Sequence, residues 1–356
     1  MAKYIYIGYN LFIISVLTGR AGEIVSELRY NIINREWVVI ATERAKRPLD
    51  FKKPQKEIKS IPEHRQDCPF CPGSEGDLSD ETFRIEGKDM WKVRSIYNKF
   101  PALSPKEKLV RKNDGIYHSI SGYGVAEVII ESPKHNLCIV TMPDVQVEDV
   151  IKTYKSRYLA LQNREGIEAI VIFRNHGPGA GTSLEHPHSQ LIATPIVPPQ
   201  IRNRMESAVS FFDTIGKCMF CDTLEQELAA KKRVVAENES FVSFIPYAGA
   251  APFVTWIFPK RHMSSFGNIN DIEIRDMASI LKLTLAKLYY GLNNPDFNYT
   301  IRSIPVKEDG KDYFHWYLTI VPRISQPAGF EVGSGIFINS SVPEESAEFL
   351  RQVKTQ

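Results

Sequence analysis

The chain has 356 residues, 43% of them hydrophobic and 24% charged, and its formal net charge is +2. Such values are ordinary for a globular protein, and the length allows two domains or one large duplicated domain. A net charge this small, without a long basic run, argues against a nucleic-acid-binding protein.

Residues 1–25 differ in character from the rest of the chain. KYIYIGYNLFIISVLTG is apolar, but it is short for a membrane span, Gly8 and Asn10 interrupt it, and it lacks a small-x-small cleavage site. We therefore expect a cytoplasmic protein with no membrane partner. We also expect residues 1–25 to be a non-native or mis-assigned extension, with Val25 standing where a GTG initiator codon would place the first residue.

Four of the five cysteines form two Cys-x-x-Cys pairs, CPFC and CMFC. The cysteines are Cys68, Cys71, Cys138, Cys218 and Cys221. In a chain this long without a clear secretory context, such pairs indicate metal or redox sites rather than a disulfide framework. Cys138 lies in the apolar run LCIV, and we expect it to pack in the core.

The two cysteine pairs begin two halves with the same plan. Each half continues with a strand ending in Pro-Lys-(Arg)-His, a helix, a second strand, a turn and a strand that opens with histidine. The strands contain EVIIE, AIVIF, FVTWIF and WYLTIV, and helical apolar spacing covers about 144–162 and 270–290. The sequence predicts an α+β fold of duplicated halves, 26–197 and 198–356, with helices packed on a mostly antiparallel sheet.

Each half also contains two later histidines at matching places. Two thiolates and two imidazoles make a closed tetrahedral zinc site. We therefore predict two zinc sites per chain, with the ligands Cys68, Cys71, His135 and His186 in the first half and Cys218, Cys221, His262 and His315 in the second. The alternative for each half is a redox-active or merely buried cysteine pair.

The repeat assigns different roles to His186 and His188, which lie one residue apart. If His186 is the metal ligand equivalent to His315, then His188 corresponds to Tyr317. The second half keeps the ligand and lacks the neighbouring imidazole. We predict that His188 serves chemistry, as a nucleophile toward phosphorus. The alternatives are a second metal ligand and a structural histidine.

From Ser26 onward the sequence resembles the galactose-1-phosphate uridylyltransferases of the histidine-triad superfamily. The similar segments are SELRYNIINREWVVIATERAKRP, CPFCPG, YNKFPAL and NHGPGAGTSLEHPHSQ. The resemblance implies two histidine-triad-like halves, the zinc ligands given above for the first half, and His188 as the residue that accepts the nucleotidyl group. It implies that Gln190 contacts the transferred phosphoryl group. The other residues implied to contact substrate are Arg44, Arg47, Asn98, Asn175, Ser183, Phe330 and Glu331.

Two local features bear on the phosphates. The turn with Gly177, Gly179 and Gly181 is expected to bring backbone N–H groups close to them. Histidine-triad hydrolases carry H-x-H-x-H, whereas here Gln190 gives H-x-H-x-Q. In a transferase the leaving group and the acceptor are phosphates that are already ionised, so a neutral amide is sufficient. Transfer is therefore favoured over hydrolysis.

The resemblance implies transfer of UMP from UDP-glucose to galactose 1-phosphate through a covalent nucleotidyl-histidine. The implied partners are a nucleotide-sugar and a hexose 1-phosphate, and the implied assembly is a homodimer. The thiol-rich second site, where iron is an alternative to zinc, and the segment AGFEVGSGIFIN also resemble the ADP-glucose phosphorylases. The alternatives of adenine as the base and inorganic phosphate as the acceptor therefore stay open. A non-enzymatic alternative is a zinc-stabilised protein that binds nucleotides without turnover. The presence of His188 and Gln190 argues against it.

Overall fold

The computed structural model describes residues 26–41, 47–52, 61–74 and 80–355. Our expectations for residues 1–25 and for Arg44 lie outside these residues. The strands are β1 (Glu27–Asn31), β2 (Glu36–Ile40), β3 (Glu81–Glu86), β4 (Trp91–Tyr97), β5 (Arg111–Asp114), β6 (Tyr117–Ile120), β7 (Val125–Ile130), β8 (Ala169–His176), β9 (His188–Thr194), β10 (Val234–Glu237), β11 (Phe241–Phe244), β12 (Thr255–Pro259), β13 (Phe297–Arg302), β14 (Tyr317–Pro322) and β15 (Phe337–Asn339). The helices are α1 (Asp144–Gln162), α2 (Pro199–Ile215), α3 (Met219–Ala230), α4 (Asp271–Leu292), α5 (Gly329–Ser334) and α6 (Pro343–Gln352).

Ten strands form one antiparallel sheet in the order β10-β11-β12-β14-β13-β8-β9-β7-β4-β3. This order is symmetric about the β8–β13 pair, and each half of the chain contributes five strands. β13 and β8 pair antiparallel, from Phe297 opposite His176 to Ile301 opposite Ile172. The predicted α+β fold of two duplicated halves on a mostly antiparallel sheet is therefore confirmed.

Helices α1 and α4 form the layer that covers one face of this sheet. Both begin and end within two residues of the predicted ranges. The apolar residues that the sequence predicts at helical spacing are at most 1% exposed, and each such side chain contributes about 1.5–3 kcal/mol by burial. These residues are Val147, Val150, Ile151, Tyr154, Met277, Leu281, Leu285 and Leu288. The 3.6-residue period of the sequence therefore marks the core-facing side of both helices.

A smaller three-stranded sheet, in the order β1-β2-β15, lies against the second half. β15 pairs parallel with β2. Asn31 and Asn339 fix the small sheet by donating to the carbonyls of Ala248 and Gly249, at 3.1 and 2.9 Å. Within the described ranges, no helix is both long and apolar enough to cross a bilayer.

The alternation of side chains along β9 determines which residues face away from the helices. The Ser189 side chain points toward the helices, because its Oγ lies 2.7 Å from the Tyr154 hydroxyl of α1. Leu191 is also buried in the core beneath the helices. Since side chains alternate along a strand, His188 and Gln190 lie on the opposite face of the sheet.

Candidate active site and metal centres

The four predicted ligands of the first half form one buried cluster. The donor atoms of Cys68, Cys71, His135 and His186 all lie within 4.8 Å of one another. His186 Nδ1 is 3.7 Å from Cys68 Sγ, 3.6 Å from Cys71 Sγ and 3.3 Å from His135 Nδ1. Ligands in a tetrahedron about 2.0–2.3 Å from a zinc-sized ion stand about 3.3–3.8 Å apart. The cluster therefore has the spacing of a metal site.

The protonation of these side chains also suits a metal. His186 Nε2–H donates to the Ser132 carbonyl at 2.7 Å, which leaves the Nδ1 lone pair pointing at the thiols. Burial lowers the pKa of His186 to about 4 and also lowers the pKa of His135, so both imidazoles are neutral. Burial raises the pKa of the Cys68 thiol, so a thiolate there needs a nearby cation.

The second half contains a matching cluster. The donor atoms of Cys218, Cys221 and His262 lie within 4.8 Å of one another. Cys221 Sγ is 3.2 Å from His262 Nδ1 and 3.3 Å from His315 Nδ1, so His315 lies beside this group of three residues. A hydrogen bond from the Cys221 thiol lowers the pKa of Cys218 to about 5. Burial lowers the pKa of His315 to about 3. All five cysteines of the chain are free thiols.

His188 is held in one tautomer at the start of β9. Its Nδ1 lies 2.8 Å from the carbonyl oxygen of His186. Because a carbonyl can only accept, Nδ1 carries the proton and Nε2 keeps its lone pair. Burial is the main reason that the pKa of His188 is lowered, while the His186 carbonyl and Glu131 act in the opposite direction. His188 therefore has the neutral form that a nucleophile requires.

A buried polar network lies behind His188, and the sequence analysis did not identify it. Arg174 Nε donates to both carboxylate oxygens of Glu131 at 3.0 Å. The Tyr154 hydroxyl lies 3.3 Å from Glu131 and 2.6 Å from the hydroxyl of Tyr299 in the second half. Charged residues at core-facing positions next to the apolar runs EVII and AIVIF were the available signal. The network ties β7, β8, α1 and β13 together beneath the site.

His176 extends this network toward α4. Arg174 Nη1 donates to His176 Nδ1 at 3.1 Å, so the other ring nitrogen carries the proton and donates to Asn294 Oδ1 at 2.9 Å. The ring also stacks on Phe297. The contacts place His176 as a link between β8 and the residues that follow α4.

The glycine turn is anchored by a carboxylate from the second half. The Gly179 N–H donates to Asp296 Oδ2 at 2.8 Å, and the Gly181 N–H donates to the Pro178 carbonyl at 3.0 Å. These two N–H groups therefore donate to acceptors within the protein, and contact between the glycine turn and the phosphates stays a prediction. A Cβ on Gly179 would lie 2.6 Å from Asp296 Oδ2, and a Cβ on Gly177 would collide with the same carboxylate.

Replacing Gly177 with alanine is expected to destabilise the protein more than replacing Gly181. Both glycines have a positive φ, +82° and +83°, but a Cβ on Gly181 has no neighbour within 4 Å. Backbone strain costs each variant about 1–3 kcal/mol. The collision with Asp296 adds about 1–3 kcal/mol for Gly177→Ala alone. Urea unfolding of both variants measures the difference, and equal losses of stability would mean that Asp296 does not hold the turn.

A cleft of about 880 Å³ opens beside His188. Its walls are the end of β8, the glycine turn, the segment before β9 and the end of α4. The predicted site residues in its wall are Asn175, Ser183, His186 and His188. Residues at or after the end of α4 that the sequence analysis did not name also line it: Tyr289, Tyr290, Asn293, Asn294 and Asp296. The second half therefore supplies one wall of a cleft whose predicted nucleophile, His188, belongs to the first half.

Other predicted substrate contacts lie away from this cleft. Asn98 follows β4, and its side-chain oxygen accepts from the Phe100 N–H at 2.9 Å. Arg47 precedes a short 3-10 turn that begins at Pro48. Phe330 is exposed on α5, while Glu331 accepts from the Ala328 N–H and borders a separate cavity of the second half. Within one chain, none of these four residues lines the cleft beside His188.

Comparison with known proteins places both halves in one family. The model of the galactose-1-phosphate uridyl transferase N-terminal domain matches residues 19–198, and the model of the C-terminal domain of the same family matches residues 204–354. ADP-glucose phosphorylase from Arabidopsis thaliana is 38% identical over 332 residues, which cover 92% of this chain and 93% of that protein. Galactose-1-phosphate uridylyltransferase from Thermotoga maritima is 29% identical over 340 residues, which cover 93% and 99%.

A solved structure supports the same assignment. The crystal structure of an ADP-glucose phosphorylase from Arabidopsis thaliana with bound ADP-glucose is 34% identical, with a TM-score of 0.78, over 92% of this chain and 99% of that one. Together, the two family models cover nearly all of the described residues. This chain belongs to the galactose-1-phosphate uridyl transferase family and is a nucleotidyltransferase.

Proposed function

We propose that the protein transfers a nucleotidyl group from a nucleotide-sugar to a phosphate-bearing acceptor by double displacement at His188. The observation that carries this proposal is the tautomer of His188. Its Nδ1–H is bound to the His186 carbonyl, which leaves a neutral ring with a free Nε2 in the wall of a large cleft. That is the arrangement required for attack on phosphorus.

The proposed steps balance without an external acid or base. His188 Nε2 attacks the α-phosphorus, the bond from that phosphorus to the bridging oxygen breaks, and a sugar 1-phosphate leaves. A phosphate oxygen of the acceptor then attacks the same phosphorus, and the bond to Nε2 breaks. Both phosphates are ionised near neutral pH, so neither needs a proton from the protein. We assign the contact with the transferred phosphoryl oxygens to Gln190, on the same face as His188, with Asn175 and Ser183 from the cleft wall.

We propose zinc at both metal clusters, because two thiolates and two imidazoles form its preferred closed site. Bound there, zinc would neutralise the buried thiolates and fix the fold around its ligands. In the first cluster the ligand His186 also presents the carbonyl that orients His188, so the fixed position of His186 sets the tautomer of the nucleophile. Five free thiols are consistent with a reducing cytoplasm as the proposed location.

Two donors are candidates for the nucleotidyl group. The family and its uridylyltransferase members support UDP-glucose, with galactose 1-phosphate as the acceptor. ADP-glucose with inorganic phosphate is the second candidate, because the ADP-glucose phosphorylase is 38% identical to this chain, against 29% for the uridylyltransferase. The two candidates share the chemistry at His188 and differ in the base and the acceptor.

We also propose that the chain works as a homodimer. Phe330 and Val332 lie close together on α5 and are 51% and 78% exposed, so a contact with a second copy would bury two large apolar side chains. The resemblance assigns Phe330 and Glu331 to substrate, although they lie away from the cleft of their own chain. A second copy could bring these residues to the cleft from outside.

Intact mass spectrometry of the metal-loaded protein tests the proposed function. The protein is incubated separately with UDP-glucose and with ADP-glucose, without acceptor. We expect a mass increase of one uridylyl or one adenylyl group, and the donor that gives it identifies the base. His188→Ala protein, treated in the same way, should gain no mass. Failure of the unchanged protein to form either adduct would overturn the proposal.

A further inference from the structure

The second half contains a cavity at the place that corresponds to His188 in the first half. On β13 and β14, Arg302 pairs with Tyr317 and Thr300 with Thr319. On β8 and β9, Phe173 pairs with Gln190, and the same register continued by two residues sets Asn175 opposite His188. Tyr317 therefore occupies the place of His188, Thr319 that of Gln190 and Arg302 that of Asn175. All three second-half residues line one cavity of about 220 Å³.

Two arginines from different elements meet in this cavity. Arg302 comes from β13 and Arg204 from α2. Arg204 Nε donates to Asn34 Oδ1 at 3.0 Å, and its Nη1 donates to the Gln200 carbonyl at 2.9 Å. Arg302 Nη1 donates to Gln200 Oε1 at 3.4 Å. All of these acceptors are neutral oxygens, so the hydrogen bonds place the two guanidinium groups without compensating their charge.

The cavity wall carries more positive than negative side chains, since Arg204, Arg302 and Arg323 line it against Glu36 and Glu331. Arg302 Nε is buried and meets no acceptor in the described part of the chain. Burial, followed by repulsion from Arg204, lowers the pKa of Arg302 to about 10. Glu36 is also in the wall; burial raises the pKa of its carboxyl, while Arg204, a hydrogen bond from Asn34 and Arg302 lower it, so this carboxyl offsets part of the positive charge. A buried guanidinium N–H without an acceptor is costly, and a bound anion would remove that cost.

We propose that this cavity binds a phosphate dianion between Arg204 and Arg302, either as inorganic phosphate or as the phosphate group of a small phosphorylated sugar. The planar fork of an arginine suits phosphate oxygens, and two of them at one site are a common recognition device. The volume is several times the roughly 30 Å³ of a water molecule and below the roughly 300 Å³ at which sites for larger ligands begin. Tyr317 has no imidazole, so the site binds phosphate without transferring it.

This inference is independent of the proposed function, because it uses neither His188 nor the cleft beside it. In this inference the second half binds phosphate groups, whereas the first half is proposed to react with them. Phosphate at this site would also hold α2, β13 and the loop before β2 together, since Arg204, Arg302 and Asn34 come from these segments.

Isothermal titration calorimetry with inorganic phosphate tests the proposal on the metal-loaded full chain. The variants are Arg302→Met and Arg204→Met, and the control is Arg275→Met, an exposed arginine of α4 outside this cavity. We expect each cavity variant to lose one phosphate site or to bind it at least about tenfold more weakly, the effect of losing one charge-assisted contact. Arg275→Met should bind as the unchanged protein does. Adduct formation at His188 should be equal in all four proteins.

A second measurement keeps the test decisive if one variant folds poorly. Without phosphate, Arg302→Met should be at least as stable as the unchanged protein, because it removes a buried guanidinium group whose Nε–H lacks an acceptor. Added phosphate should raise the melting temperature of the unchanged protein more than that of either cavity variant. Tighter binding of glucose 1-phosphate than of phosphate would identify a sugar phosphate as the ligand, and equal binding would identify phosphate itself. Phosphate binding with unchanged stoichiometry and affinity in both cavity variants would overturn the proposal.

Discussion

Replacing His188 with alanine is expected to abolish the nucleotidyl adduct and to lower the rate of transfer by at least about 10⁴-fold, the scale seen when a covalent nucleophile is removed. The fold and both metal clusters should remain intact. None of the ligand atoms belongs to His188, and Tyr317 shows that a residue without an imidazole fits the same place in a folded half. Steady-state transfer rates, metal analysis and circular dichroism of the variant measure these three outcomes.

The control for this variant is His118→Ala. His118 lies exposed on the β5–β6 hairpin, where its ring contacts Asn113 at 2.9 Å, and its removal should leave transfer unchanged. The same mechanism requires ping-pong kinetics, with parallel double-reciprocal lines when one substrate is varied at fixed levels of the other. Intersecting lines, together with appreciable transfer by His188→Ala, would show that the nucleotidyl group passes directly between substrates.

Replacing Cys71 with serine is expected to remove one metal and to prevent the first half from folding. Cys71 is fully buried and contacts both histidines of its cluster. Structural zinc contributes about 10–16 kcal/mol to folding in small domains, whereas a whole domain is stable by only about 5–15 kcal/mol. The contribution of the site is therefore as large as the whole stability of a typical domain. Elemental analysis and urea unfolding of the purified variant measure both effects.

Cys138→Ser is the matched control for this experiment. Cys138 belongs to neither cluster and contacts Thr141 instead, so this variant should keep two metals per chain and a near-normal unfolding transition. The unchanged protein, prepared without chelator, should also contain two metals. A content of one metal or fewer would remove the second cluster from the proposal. Full stability of metal-free Cys71→Ser protein would show that the first cluster is not a structural site.

The sequence predicted those parts of the fold that repeat at short range. The bounds of α1 and α4 follow from apolar residues at helical spacing, such as Val147, Val150 and Ile151. The different roles predicted for His186 and His188 follow from the repeat, in which His186 corresponds to His315 and His188 to Tyr317. The metal clusters were predictable because each half repeats the same order of thiols and histidines, so one half serves as a check on the other.

The parts that escaped prediction depend on contacts between distant segments. Asp296 approaches Gly179 from 117 positions away, and Glu131, just after β7, pairs with Arg174 of β8 although β9 lies between these two strands. The periodicity of apolar residues in the sequence does not indicate which polar side chains come into contact in the folded sheet. The side chains of Arg204 and Arg302 likewise come together only after α2 folds over β13. Such pairs decide how a turn or a cavity is lined, so the details of the site required the structure.

The pairing of β8 with β13 makes the two halves a single cooperative unit. If either half were to open, the backbone groups of the central edge would lose their partners, and the turn held by Asp296 would lose its anchor. The second half, which has Tyr317 in the place of His188, is therefore part of the same folding unit as the proposed nucleophile. We expect damage to the second metal cluster to reach His188 through these paired strands, although no residue of that cluster lines the cleft beside His188.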